Sequence, residues 1–75
     1  MKPESSVYYD ASTDSMYVTI RPGRSVNTEI HDDRDFAIDL DERGNPTGYD
    51  IQHASRHPDV IAEALGFLRQ RHAAE

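Results

Sequence analysis

Residues 15–20 read Ser-Met-Tyr-Val-Thr-Ile, and apolar side chains recur there at every second position. Met16, Val18 and Ile20 would share one face of an extended chain, and Tyr17 and Thr19 would share the other. A period of two residues is typical of a β-strand that buries one face. This stretch therefore predicts a strand, and the rest of the chain is best interpreted outward from it.

Similar short alternations lie on both sides of this strand, and residues that favour turns separate them. Residues 10–14 contain two aspartates and two hydroxyl side chains, and Gly44 follows an acidic run that suits a hairpin turn. The predicted strands cover residues 7–9, 15–20, 26–30, 36–40 and 47–52. Because the connections are short, we expect four to five strands in an antiparallel β-meander.

The C-terminal part of the chain predicts one helix over residues 58–72. Pro58 suits the first helical position and Asp59 the first turn, where a negative charge complements the helix dipole. Apolar residues recur at helical spacing and cover an arc of about 160°, which is wider than the stripe needed for one sheet face. Gly66 interrupts this helix, either as a weak position or as a mark of a close backbone contact.

The sequence as a whole therefore predicts a single α+β domain, residues 1–75, in which the sheet packs on the helix. The expected core lies between the two. It consists of the helix stripe with Tyr9, Met16, Val18, Ile20, Val26, Ile30, Phe36, Ile38, Leu40, Tyr49 and Ile51. The opposite sheet face would carry Tyr8, Tyr17, Thr19 and Ala37. The two tyrosines there are either ordinary cross-strand partners or part of an interface.

Composition excludes several classes of protein. The 75 residues include 14 acidic and 8 basic side chains, a net charge of −6, and no cysteine. Disulfides and thiolate metal sites are excluded, and we expect no nucleic-acid binding because phosphate repels an acidic domain. No run of residues is long and apolar enough for a membrane span, and the first residues lack the apolar core of a signal peptide. We therefore expect a cytoplasmic protein.

Two segments carry a resemblance to a known family. The first is Tyr9-Asp10-Ala11-Ser12-Thr13-Asp14-Ser15-Met16-Tyr17-Val18. The second runs from Leu40-Asp41-Glu42-Arg43-Gly44 through Gly48-Tyr49-Asp50-Ile51 to Ala54-Ser55. Together they resemble the YuzE-like family, the bacterial domain-of-unknown-function family 2283 (DUF2283). Tyr49 and Asp50 stand where that family usually has an aliphatic residue and Glu. The resemblance implies a small bacterial domain and supplies no catalytic residues and no cofactor.

Acidic turns offer the main alternative to an interaction module. Asp10 and Asp14 could bind a hard cation or could fix the turn between the first two strands. His31, Asp32 and Asp33 could add ligands or form a solvated loop. His53 and His57 are four residues apart, but Pro58 disfavours helical geometry at His57, so this pair is expected to straddle a loop.

The favoured hypothesis is a non-enzymatic module that forms a homodimer and could also bind one protein partner. A 75-residue chain can bury only a thin core, and association is one remedy. The interface candidates are Tyr8 and Tyr17 on the sheet, with Leu65 and Phe67 on the helix. The alternative is a metal- or small-ligand-binding domain, and an enzyme is the least favoured class because so small a chain can hardly enclose a substrate.

Overall fold

The computed structural model describes residues 7–21 and 25–74, and it describes side chains as far as residue 70. Five strands precede one helix in chain order. They are β1 (Val7–Asp10), β2 (Ser15–Thr19), β3 (Asn27–His31), β4 (Phe36–Leu40) and β5 (Pro46–Ile51), followed by α1 (Pro58–Ala74). Single turns of 3-10 helix, Asp32–Arg34 and Ala54–Arg56, follow β3 and β5. The predicted α+β class, with antiparallel strands and one C-terminal helix, is confirmed.

The order of the strands departs from a simple meander at one place. The sheet order is β1-β2-β5-β4-β3, and every neighbouring pair is antiparallel. The β1–β2 hairpin therefore pairs through β2 with β5, which is the last strand of the β3–β4–β5 meander. This strand has buried residues at Thr47, Gly48, Tyr49 and Ile51. A central position buries that apolar strand and supplies hydrogen-bond partners along both of its edges.

The core lies between the inner face of the sheet and α1, which contacts β2 and β5. In register, Val18 is opposite Tyr49, which is in turn opposite Ile38. The buried apolar residues are Val18, Ile20, Phe36, Ile38, Tyr49, Ile51, Ala54, Val60 and Ala64, and Met16 and Leu40 pack beside them. The helix within the described part of the chain is too short and too polar to cross a membrane.

Three residues predicted for the core are exposed instead. The exposed fractions are 46% for Tyr9, 55% for Val26 and 67% for Ile30. A helix is about 10–12 Å wide, whereas five strands span about 19 Å, so one helix leaves the edge strands uncovered. Ile30 is also on the opposite face from the core, because it pairs with Ala37 and not with Phe36 or Ile38.

The turn between β4 and β5 follows the sequence prediction. Gly44 adopts a left-handed conformation with φ of +83°, and its N–H donates to the carbonyl of Asp41 at 3.0 Å. The Asp41 carboxylate accepts the N–H groups of Arg43 and Asn45, each at 2.9 Å. These two bonds, that from Asn45 above all, hold the pKa of Asp41 below its usual range. The turn thus sets the pairing of Leu40 with Pro46, and the register shifts by one residue between Leu40 and Asp39.

Candidate functional site

Three connecting segments meet at one end of the sheet, which we call the loop end. They are the β1–β2 turn, the segment between β3 and β4, and the segment between β5 and α1. Each contributes a non-glycine residue in the left-handed conformation: Asp14 (φ 55°), Asp35 (φ 60°) and His53 (φ 51°). Such backbone conformations are uncommon and persist where surrounding contacts hold them.

The carboxylate of Asp14 joins two of these segments. It accepts the Ser55 hydroxyl at 2.7 Å, the Ser55 N–H at 3.2 Å and the Tyr9 hydroxyl at 2.7 Å. The carbonyl of Asp14 also accepts the Ala54 N–H at 2.8 Å. The bond from the Ser55 side chain, followed by that from Tyr9, lowers the pKa of Asp14. Asp14 therefore ties the β1–β2 turn to the approach to α1.

The carboxylate of Asp35 makes the second tie at the loop end. Its Oδ2 lies 3.2 Å from Nε2 of His57 and 3.3 Å from Nδ1 of His53. These histidines flank the Ala54–Arg56 turn, so the prediction that they straddle a loop is confirmed. The bond from His57 is the main cause that lowers the pKa of Asp35. Asp35 thus connects the start of β4 to the same loop that Asp14 holds.

The predicted metal ligands either make hydrogen bonds within the chain or lie apart from one another. Asp10 accepts the N–H and the hydroxyl of Ser12 at 3.0 and 2.7 Å, which is the local turn interaction that the sequence offered as an alternative to cation binding. Asp32 and Asp33 belong to the 3-10 turn after β3. Across residues 7–21 and 25–74, no group of three or more His, Asp or Glu side chains is arranged to hold a metal ion. The geometry at Asp10 and Asp14 is that of structural ties.

His31 lies on the inner face, at the edge of the core. Its ring stacks on Phe36 with centroids 4.6 Å apart, and Phe36 in turn stacks on Tyr49 at 5.8 Å. Nε2 of His31 is buried and lies 3.6 Å from the Glu29 carboxylate, which is too long for a hydrogen bond. The ring of His31 therefore covers one edge of the aromatic core.

The two helix candidates for an interface differ in their burial. Leu65 is half-buried and packs against the central cluster. Phe67 is 37% exposed, and its ring lies 6.1 Å from that of Tyr49. The hydroxyl of Tyr49 donates to Glu63 at 2.7 Å. Packing within one chain thus accounts for Leu65, whereas Phe67 keeps an exposed edge.

No helix or described loop covers the outer face of the sheet. Tyr8 is the cross-strand partner of Tyr17. Tyr17 extends over Gly48 and donates its hydroxyl to Asp39 at 2.7 Å, and Thr28 donates to the other oxygen of Asp39 at 3.1 Å. Burial, and then the bond to Asp39, raises the pKa of Tyr17. Tyr8 and Ile30, on the two edge strands, are each 67% exposed.

One corner of the outer face, near the loop end, contains a cleft of about 240 Å³. Its lining residues are Ile30, Asp32, Asp35, Phe36, Ala37, Asp50 and Gln52. Small-molecule sites usually have volumes of roughly 300–1,000 Å³. The cleft is thus smaller than a typical substrate pocket.

The fold and the loop end together define a small α+β domain in which two sequence segments, residues 9–18 and 40–55, are tied by the Asp14–Ser55 contact. Residues 6–55 match the model of DUF2283, described as a protein family of unknown function. The match covers 50 of the 75 residues, and the chain belongs to this family. No curated protein and no solved structure matches the chain.

The structure joins the two segments that carry the family resemblance. Tyr9 and Asp14 come from the first segment and Ser55 from the second, and hydrogen bonds join all three.

Sequence reasoning did not single out Asp35 and placed Val26 and Ile30 in the core. Polar Asn27, Glu29 and His31 alternate with these apolar residues, but a single strand's alternation does not reveal which neighbour it pairs with or whether it is an edge.

Proposed function

We propose that this domain is a non-enzymatic interaction module that forms a homodimer through the sheet. The observation that carries the proposal is the exposure of large apolar side chains at the sheet edges. Tyr8 on β1 and Ile30 on β3 are each 67% exposed, and Val26, just before β3, is 55% exposed. Burial of apolar surface contributes about 25 cal/mol of favourable free energy for each Å² removed from water. Association that covers these side chains is therefore favoured.

The helix α1 is a weaker candidate for the interface than the sheet edges. Leu65 already packs in the core, and Phe67 already contacts Tyr49. The polar groups at the loop end are likewise engaged, because Asp14 and Asp35 hold Ser55, His53 and His57. A cleft of about 240 Å³ is also small for a substrate. These features favour an interaction module over an enzyme.

Light scattering on a sizing column tests the proposal over protein concentrations from about one to one hundred micromolar. We expect the mass to approach about 17 kDa, twice the 8.5 kDa of the chain, as the concentration rises. Ile30→Lys should shift the mass toward that of the monomer, because a charged group would lie in an apolar contact. Gln70→Lys, at an exposed helix position, is the matched control for the added charge.

The same column distinguishes the sheet from the helix. Phe67→Lys should leave the dimer intact, whereas Ile30→Lys should not. A mass near 8.5 kDa at one hundred micromolar for the unmodified chain would contradict the proposal. Dissociation by Phe67→Lys but not by Ile30→Lys would assign the interface to the helix instead.

A further inference from the structure

This inference rests on the proposed homodimer and concerns its geometry. We propose that the second copy pairs with the free edge of β3, antiparallel to it, so that two five-stranded sheets join into one. The two-fold axis passes beside Thr28. Three observations carry the proposal: the position of the charges on the outer face, the character of β3 as an edge strand, and the side chains that each register would oppose.

Charges on the outer face disfavour the stacking of two sheets face to face. Asp39 on β4 and Asp50 on β5 are in the middle of that face. Asp50 is bonded to the Gln52 amide at 3.3 Å, and no basic side chain of the described residues forms an ion pair with it. A stacked dimer would bury these carboxylates from both copies without compensating cations, which is costly. Edge-to-edge pairing leaves them in water.

β3 is the edge strand best suited to accept another chain. It is the last strand in the sheet order and has only β4 as a neighbour among the described elements. Its five residues, Asn27–His31, contain no proline and no lysine, the residues that commonly protect an edge. Four of the five are exposed. At the other edge, β1 is shorter, with four residues.

Side-chain chemistry selects one register. When two identical strands pair antiparallel, the residue beside the two-fold axis faces its own counterpart. An axis at Glu29 would oppose two carboxylates, which is destabilising. An axis at Ile30 would place Val26, just before β3, opposite Arg34 in the 3-10 turn, so Val26 would stay exposed. Both alternatives lose the contact between Val26 and Ile30 of the second copy.

An axis at Thr28 gives complementary pairs on both faces. Val26 would face Ile30 of the second copy, which covers the two exposed apolar side chains of this edge. Asn27 would face Glu29 of the second copy. Because the Asn27 side-chain oxygen accepts the Thr28 N–H at 3.0 Å, its amide N–H groups can donate to that carboxylate. This register therefore satisfies charge and apolar contacts together.

Single-cysteine variants test this geometry, because the natural chain contains no cysteine. Directly opposed residues of an antiparallel pair have Cα atoms about 4.5–5.5 Å apart, within the range of a disulfide. Thr28→Cys should thus form a covalent dimer under mild oxidation. Ile30→Cys on the same strand and Tyr8→Cys at the other edge are matched controls. Both should run mainly as monomers on a non-reducing gel.

The outcomes separate this inference from the proposed dimer. Circular dichroism first establishes that each variant is folded, and Ile30→Lys on the sizing column provides a second variant at the same edge. A dimeric chain in which Tyr8→Cys cross-links and Thr28→Cys does not would overturn β3 pairing while leaving the dimer. Efficient cross-linking of Ile30→Cys would overturn the register. A monomer at every concentration would overturn both proposals.

Discussion

Asp14 joins the β1–β2 turn to the segment before α1 through both its side chain and its backbone. Its side chain bonds Tyr9 and Ser55, and its carbonyl bonds the backbone of Ala54. Its φ of 55° lies in the left-handed region, which aspartate and asparagine tolerate better than most residues. Both the side chain and the backbone conformation therefore favour aspartate at this position.

We predict that Asp14→Ala lowers the melting temperature by several degrees, because it removes the long-range bonds and places alanine in a left-handed conformation. Asp10→Ala is the matched control, since Asp10 bonds Ser12 within its own turn. It should have a much smaller effect. Asp14→Asn, which keeps an oxygen acceptor, should lie between the two. Thermal unfolding at pH 7 measures all three, and equal effects of the two alanine variants would refute the tie.

Gly48 is required by a neighbouring side chain and not by its own backbone angle. A methyl group at this position would overlap the hydroxyl and ring of Tyr17. We predict that Gly48→Ala destabilises the fold by about 1–3 kcal/mol, the usual cost of overpacking. The cost should fall well below this in a Tyr17→Ala background. Urea unfolding of the four proteins in this cycle gives the coupling, and additive effects would contradict the account.

At the scale of elements, one helix covers only the middle of a five-stranded sheet. The sequence predicted each strand to within a few residues, because the alternation in residues 15–20 and 36–40 reports burial on one face. It did not predict the strand order, because β5 is paired with β2 through contacts between residues far apart in the chain. The exposure of Ile30 follows from that order and from its pairing with Ala37, neither of which the local pattern reveals.

Within the helix, Gly66 is a weak position. The structure shows open space where its side chain would be, so the alternative interpretation as a close backbone contact is wrong. We predict that Gly66→Ala stabilises the fold by up to about 1 kcal/mol, which raises the melting temperature by about 4–8 °C per kcal/mol in a domain of this size. Ala62→Gly, an exposed position of the same helix, should produce a loss of similar size. A lower melting temperature for Gly66→Ala would contradict this prediction.

At the scale of the whole molecule, aspartates tie many of the turns together. The pKa values of Asp10, Asp14, Asp35, Asp41 and Asp59 are all lowered, mainly by hydrogen bonds from Ser12, Ser55, His57, Asn45 and Arg34 respectively. The unfolded chain, with ordinary pKa values near 4, therefore binds more protons than the native chain in acid. Their stabilisation is present above that pH and is lost below it.

We therefore predict that the urea midpoint falls as the pH decreases from 5 to 3. Asp41→Asn removes one of the five carboxylates while it keeps an oxygen acceptor in the turn, so its midpoint should depend less on pH over this range. Unfolding curves at half-unit intervals measure both proteins. A midpoint that stays constant or rises as the pH decreases from 5 to 3 would contradict the role assigned to these carboxylates.

The central claim is that two copies of this domain join along β3. The most direct measurement is an isotope-filtered NOE experiment on a dimer of one labelled and one unlabelled copy. Within one chain Val26 and Ile30 are four residues apart along an extended segment, about 13 Å, so their methyl groups cannot be in contact. We expect a strong NOE between Val26 of one copy and Ile30 of the other. Intermolecular NOEs that involve Tyr8 or Phe67 and none at Val26 or Ile30 would contradict it.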